Sequence, residues 1–346
     1  MTGTKIRRVV VESIHNIVVE QVDGPTPGLD EVLVASAVVG ICGSDMHAVH
    51  GEHPFVTLPM RPGHEVVGRV VAAGPGAGAA LVNTRVVVEP NLACGVCPQC
   101  TAGRYNICSE LLVFGCQTAG GMTDRFVIAA DRVVPLPDDL DDTWAALVEP
   151  AATPMHAVRR AGDLGGRRVA VLGAGPIGLF VVLAALRAGA AAVVAGDLVE
   201  SKRARAVRLG ACGTFEPGSA GVAVAADEAL AALGGPADVV FDCVSVESTV
   251  RLAIMILAKG GLLMTVGVPA GPTRVDLDLI QDRELTLMGN LMYVREDVLA
   301  AIALLRTRPF ALEEVVTATY NLDDVASAFR AADDPEQMKV LVTIGP

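Results

Sequence analysis

Six residues constrain this chain more than any others. Gly173-Ala174-Gly175-Pro176-Ile177-Gly178 follow the apolar run Val169–Leu172 and open a second apolar run that lasts to Leu186. A glycine turn between a buried strand and a buried helix is the crossover unit of a parallel sheet. Gly173 permits the tight turn, Gly175 lets a pyrophosphate approach the backbone, and Gly178 allows close helix–sheet packing. Pro176 and Ile177 start the helix, whose free N–H groups and positive dipole suit a diphosphate. Asp197 stands 22 positions after Gly175 (197 − 175), about where an acid meets an adenosine ribose. Its carboxylate would accept from the 2′- and 3′-hydroxyls and repel a 2′-phosphate, which favours NAD over NADP. The bland reading of Asp197 is a helix N-cap before Glu200. Lys202 and Arg203, one turn into the next helix, read as a solvated face or as a clamp for NADP. Val244, Val266 and Val268, near the ends of the next strands, complete the expected cofactor contacts.

The uncharged stretch from 169 to 186 is also long enough to span a membrane. Its glycine cluster serves no purpose in a transmembrane helix, so strand, turn and helix explain it better. From Arg167 onward the chain alternates apolar strands with Ala-rich helices. The expected elements are strand Arg168–Leu172, helix Ile177–Arg187, strand Ala191–Gly196 and helix Ser201–Leu209, then strand Asp238–Cys243, helix Ser248–Ala258 and strand Gly261–Val266. The first third has a different texture, with short strands (Val32–Val38, Gly68–Ala73, Arg85–Glu89, Arg125–Ala129) among frequent Gly and Pro. The final segment reads as a helix, Leu322–Ala332, and a strand, Lys339–Ile344. Periodicity leaves open whether that segment extends the parallel sheet or returns to the first domain.

With 346 residues the chain suits two domains that each bury a core. A hydrophobic fraction of 52%, made mostly of Ala and Val, excludes disorder. The net charge of −12 argues against a large phosphate-binding surface, so nucleic acid is not an expected partner. Met1–Glu12 has basic residues but no apolar core and no small-residue cleavage site, so the expected setting is cytoplasmic, without a secretory signal or membrane anchor.

Cys94, Cys97, Cys100 and Cys108 follow Cys-x2-Cys-x2-Cys-x7-Cys in a loop that also holds Gly95, Pro98 and Gly103. Two-residue gaps let thiolates converge, and four sulfurs close a tetrahedral sphere around a structural zinc. A disulfide framework would need an oxidising compartment, and an iron–sulfur cluster would use the same ligands. Cys116, Cys212 and Cys243 read as small buried residues, with Cys116 also a candidate to line a pocket.

The chemical centre lies in Gly40-Ile41-Cys42-Gly43-Ser44-Asp45-Met46-His47 and in Gly63-His64-Glu65. Cys42 and His64 are metal ligands from separate loops, with carboxylates beside them. Three protein ligands and an open position distinguish a catalytic zinc from a structural one. Such an ion lowers the pKa of bound water from about 15.7 to about 7, and a bound alcohol should respond similarly. The bland readings are a small core cysteine and an ordinary turn.

Together these segments, with Gly68, Glu149-Pro150, the glycine motif and Asp197, resemble the medium-chain, zinc-dependent alcohol dehydrogenase family over almost the whole chain. The match is best with its sorbitol, butanediol and threonine dehydrogenase branch. The resemblance implies an α/β plus β architecture: a GroES-like catalytic domain with an inserted Rossmann domain, a doubly wound parallel sheet. The expected boundaries are 1–154 for the catalytic domain (four-cysteine lobe about 90–110), 155–294 for the NAD domain and 295–346 for the segment completing the first. The resemblance further implies that Cys42, His64 and Glu65 hold the catalytic zinc, with Glu149 as direct or water-bridged ligand. Ser44 would take the alcohol proton and relay it towards His47 near solvent, and Asp45 would orient His64. One catalytic and one structural zinc per chain, NAD, a small alcohol or polyol substrate and a homotetramer or homodimer follow from the same resemblance.

The departures concern substrate. Polyol dehydrogenases of this branch place an aromatic just after the position of His47 and an arginine near Met292, whereas this chain has Ala48 and Met292. Phe114 and Tyr293 fit the pattern, so Ser44, Phe114, Met292 and Tyr293 are the expected substrate pocket. Ala151, Ala152 and Thr153 stand where threonine dehydrogenases carry a Gly-Asn pair after the acid. An L-threonine 3-dehydrogenase-like activity, or one on a specialised metabolite such as an amino-sugar or cyclitol, remains an alternative. His50, Glu52 and His53 form a polar loop that reads as solvated or as a substrate contact.

Overall fold

The computed structural model describes residues 5–218, 221–269 and 271–345. The chain divides into two compact units: residues 1–150 with 294–346, and residues 151–293. The division falls just inside the helix Val148–Ala161.

The first unit is mainly β. Lys5–Ser13 and Asn16–Asp23 pair as an antiparallel hairpin that the sequence reading did not anticipate. A larger sheet has the strand order Val316–Asn321, Lys339–Thr343, Glu31–Ile41, Glu65–Ala73, Arg85–Val88, Val133–Pro135. Arg125–Ala129 also pairs with Glu31–Ile41. From Glu31 to Val38 the side chains alternate between half-buried and buried, as they should on a sheet with one packed face, and from Val38 to Ile41 all are buried. Val34, Val39, Val66, Val86, Phe126 and Val340 from that sheet share one core. The C-terminal segment therefore returns to this unit: Val340 lies opposite Ile41 and Leu341 opposite Gly40. That pairing sets Lys339 beside the chemical centre.

The second unit is a six-stranded, fully parallel sheet. Its order is Gly213–Phe215, Ala192–Gly196, Arg168–Leu172, Ala237–Asp242, Leu257–Thr265, Thr286–Gly289. Val169, Val171, Val194, Val239 and Val240 are fully buried, which explains the continuous apolar runs of strands covered on both faces. The order reverses at Arg168–Leu172 and Ala237–Asp242, and the carboxyl ends beside such a reversal are where these sheets bind ligands. Residues 169–186 resolve into a strand, a glycine turn and the helix Pro176–Arg187. No helix among the described residues is long and apolar enough to cross a membrane. The helix expected to reach Ala258 stops at Ile256, because Leu257 already pairs with Ala237. Cys212, read as buried, is exposed next to the short strand Gly213–Phe215 at the sheet edge.

Candidate active site

Strand Glu31–Ile41 ends at Cys42, which caps the helix Gly43–Val49. The next strand begins with Glu65 directly opposite Gly40. Antiparallel pairing thus brings the two halves of the chemical centre together across a few ångströms. One ligand atom each from Cys42, His64 and Glu65 lies within 4.8 Å of the others, close enough to share one cation. A Cβ on Gly40 would run into the Glu65 carboxylate, so the glycine leaves that acid its place.

The surroundings of this cluster are charged and buried. Asp45 accepts from the Cys42 backbone N–H through Oδ2 at 2.9 Å and sets Oδ1 3.7 Å from His64 Nδ1. Burial, helped by Glu65, raises the Asp45 carboxyl above its usual range against the pull of His64. Burial works against the His64 cation, but Asp45, Cys116 and the thiol hydrogen bonds outweigh it and hold the imidazole well above its ordinary value. The sequence reading missed Lys339. Its Nζ donates to Glu65 Oε1 at 2.6 Å, to Oε2 at 2.8 Å and to the Ile41 carbonyl at 3.1 Å. Both side chains are nearly sealed, at 4% exposure for Lys339 and 1% for Glu65. Burial opposes the ammonium, yet Glu65 first, then Cys42 and Glu149, carry its pKa above the ordinary value. The only signal in the sequence was a lysine at the head of the apolar run Val340–Ile344.

The other expected residues sit at varied distances from this cluster. Ser44 is half-buried and His47 exposed, three positions apart on one short helix and therefore on neighbouring faces. Glu149 lies in the first turn of Val148–Ala161, with its charge felt at Lys339. His53 is part-buried, and burial followed by the charges of His47 and His64 lowers its pKa. His50 pairs instead with Asp333 at 3.1 Å, and Glu52 is exposed. Phe114 is packed in the core, its ring centroid 5.0 Å from that of Phe126. In the second unit, Tyr293 is buried and Met292 is half-buried with a left-handed φ of 47°.

The four-cysteine loop brings its thiols together. Cys97 Sγ is 3.4 Å from Cys100 Sγ and 3.9 Å from Cys108 Sγ, and Cys94 Sγ is 4.0 Å from Cys100 Sγ. Backbone N–H groups of Cys97 and Glu110 donate to Cys94 and Cys108 sulfurs, the kind of support that thiolate ligands receive. Backbone N–H groups of Cys100 and Ser109 draw the Cys97 thiol down to about 5. Burial, then Cys97, pushes Cys100 up to about 12. Crowded sulfurs cannot all ionise unless a cation lies among them, so this donor set fits a bound metal.

In the second unit, Gly173 takes φ +89° to turn the chain, and a Cβ on Gly178 would run into the Gly173 carbonyl. A Cβ on Gly175 would meet nothing within 4 Å, which leaves the helix N-terminus open to an incoming group. Asp197 Oδ2 accepts from the Ala174 N–H at 2.8 Å and Oδ1 from the Val199 N–H at 2.9 Å. The acid is therefore fixed beside the glycine turn. Arg203 donates to the Asp197 and Leu198 carbonyls and pairs with Glu216 at 3.3 Å, which occupies its guanidinium. Val244 and Val268 are exposed at the carboxyl end of the sheet, and Val266 is buried. Asp242, also missed in the sequence, shapes that end by accepting from the N–H groups of Val244 and Ser245.

Two family models match the chain: the alcohol dehydrogenase GroES-like domain over residues 28–138 and the zinc-binding dehydrogenase over residues 176–307. A protein named Probable D-xylulose reductase A from Neosartorya fischeri is 32% identical over 344 residues, covering 96% of this chain and 95% of its own length. A 2-dehydro-3-deoxy-L-galactonate 5-dehydrogenase from Pseudoalteromonas atlantica is 33% identical over 318 residues, covering 91% and 92%. The crystal structure of galactitol-1-phosphate dehydrogenase from Escherichia coli matches with a TM-score of 0.90 at 28% identity, over 98% of this chain and 100% of that one.

Proposed function

The chain belongs to the zinc-dependent medium-chain alcohol dehydrogenase family, and we propose that it interconverts a secondary alcohol of a polyol or diol with the ketone, using NAD. It is an oxidoreductase acting on a CH–OH group with a nicotinamide dinucleotide. One observation carries the reading furthest: ligand atoms of Cys42, His64 and Glu65 converge within 4.8 Å. These three residues hold the catalytic zinc, and Glu149 is a further ligand, direct or through water. Bound there, zinc supplies a Lewis acid that acidifies the alcohol.

This chain's own residues do the rest. Asp45 fixes the orientation of His64. Ser44 takes the hydroxyl proton, and His47, exposed on the same helix, hands it to solvent. The family likeness also carries a homodimer or homotetramer and a cytoplasmic setting into this reading. An NAD-reduction screen over diols, polyols, cyclitols and secondary alcohols tests it. Absence of NADH formation by zinc-loaded protein with every class would overturn it.

The fixed carboxylate of Asp197 makes NAD the preferred dinucleotide, since a 2′-phosphate would meet it as a like charge. Expected kcat/KM with NAD exceeds that with NADP by about 100-fold, on the scale of an unpaired charge against a charge. Asp197→Ser should narrow the gap about tenfold. Equal efficiency with both cofactors in the unaltered chain rules the assignment out.

The loop from Cys94 to Cys108 holds the structural zinc. Cys100→Ser is expected to lower the metal content from two ions per chain to one and to reduce the midpoint of thermal unfolding. A purified variant with two zinc ions and unchanged unfolding contradicts this role.

A further inference from the structure

A cavity of about 160 Å³ adjoins the metal cluster. Cys116 links the two: it lines the cavity, and its Sγ lies 3.9 Å from His64 Nδ1. Arg61, Gln117, Thr118, Phe55 and Thr57 line it as well. A guanidinium carries five donors and no acceptor, and elsewhere in this unit those donors are used. Arg7 holds Asp124, Arg85 holds Asp142, and Arg132 and Arg295 close on Glu89. Arg61 differs. It is half-buried, and its guanidinium meets no carboxylate, carbonyl or hydroxyl among the described residues. Arg104 and Arg125 also lack a side-chain partner among the described residues, but they are exposed to water.

A second orphan stands in the same wall. The Thr118 hydroxyl is buried and has no hydrogen-bond partner. Gln117, by contrast, is already engaged, accepting from the Val113 N–H and donating to the Phe55 carbonyl. The cavity thus presents one unpaired cation, with the Thr118 hydroxyl sealed behind the wall, beside a cluster that acts on an alcohol. An oxyanion compensates that cation. A neutral hydroxyl could accept from Arg61, but it would leave the charge uncompensated in a half-buried setting. The chain as a whole, at net −12, offers an anion little attraction, so local recognition falls to this arginine.

Resting on the proposed dehydrogenase reading, we infer that the substrate is an anionic polyol, with its carboxylate or phosphate held by Arg61 while a secondary hydroxyl lies at the Cys42–His64–Glu65 cluster. The relatives named above act, by their names, on neutral and on anionic sugars alike, so they leave this choice to the chain's own residues.

Matched pairs test the inference: galactitol 1-phosphate against galactitol, and L-idonate against L-iditol. The two pairs separate phosphate from carboxylate. In at least one pair the anionic member should exceed the neutral one in kcat/KM by about tenfold or more, as a charge-assisted, bidentate contact requires. Arg61→Gln should cut that ratio about tenfold, mainly through KM, and Arg61→Lys should restore part of it. Ratios near one in both pairs, or a ratio that survives Arg61→Gln, overturn the inference. If no alcohol of any kind is oxidised, the dehydrogenase reading fails, and a separate binding measurement decides about the cavity. Sodium L-idonate or inorganic phosphate should slow alkylation of Cys116, followed at the peptide level, and Arg61→Gln should abolish that protection. No protection in the unaltered chain overturns the anion site independently of turnover.

Discussion

Changing Cys42 to alanine is expected to remove one of two zinc ions per chain and to lower kcat/KM by about a thousandfold or more. Cys42 contributes the only sulfur to a three-residue cluster whose other members are His64 and Glu65. Without that thiolate the ion would keep only His64, Glu65 and the direct or water-bridged Glu149, a set with no sulfur, whereas a catalytic zinc draws about three firm ligands from the protein. The Lewis acid contributes several kcal/mol of charge stabilisation, and each 1.36 kcal/mol is tenfold in rate, so about 4 kcal/mol corresponds to a thousandfold loss. The fold should survive the change, because the bond from the Cys42 backbone N–H to Asp45 remains. Ser44→Ala is the control, retaining both metals while slowing proton removal. Metal analysis together with steady-state rates checks the pair. A Cys42→Ala protein with two zinc ions and normal turnover would remove the chemical basis of the proposed function.

Features that repeat at short range were legible in the sequence. The glycine turn at 173–178 works over six neighbouring positions, and the two-residue gaps among Cys94, Cys97 and Cys100 set their sulfurs near one another by local geometry. The parallel sheet was equally plain, because strands buried on both faces need unbroken apolar runs. Long-range pairing was not legible. Lys339 reaches Glu65 across 274 positions of sequence, and only the register of the last strand against Glu31–Ile41 brings them together. The hairpin Lys5–Asp23 was missed for another reason. Its second strand is mostly half-buried, with little hydrophobic alternation to read. Arg61 looked like any charged residue before a proline. Its lack of an acid partner among the described residues becomes visible only when the neighbours are in place.

Lys339→Met should destabilise the protein by about 3–5 kcal/mol, the usual cost of removing one partner from a buried ion pair. The Glu65 carboxylate would then remain sealed from water without the ammonium that meets both of its oxygens. The sign with pH follows from Lys339 being held above its ordinary value. A raised lysine contributes its full stabilisation below the unfolded value of about 10.4 and loses it as pH rises through the folded one. The penalty is therefore complete at neutral pH, where unfolding by heat or urea is convenient to follow. Glu65→Gln in the same chain should recover most of it, since the uncompensated charge is gone. Both ion-pair partners lie against Cys42, so the catalytic metal shares the task of neutralising Glu65. In a Cys42→Ala background, which lacks that metal, Lys339→Met should cost more than it does in the unaltered chain. Independent, additive effects of the two changes would mean that Lys339 and the metal do not act on the same carboxylate.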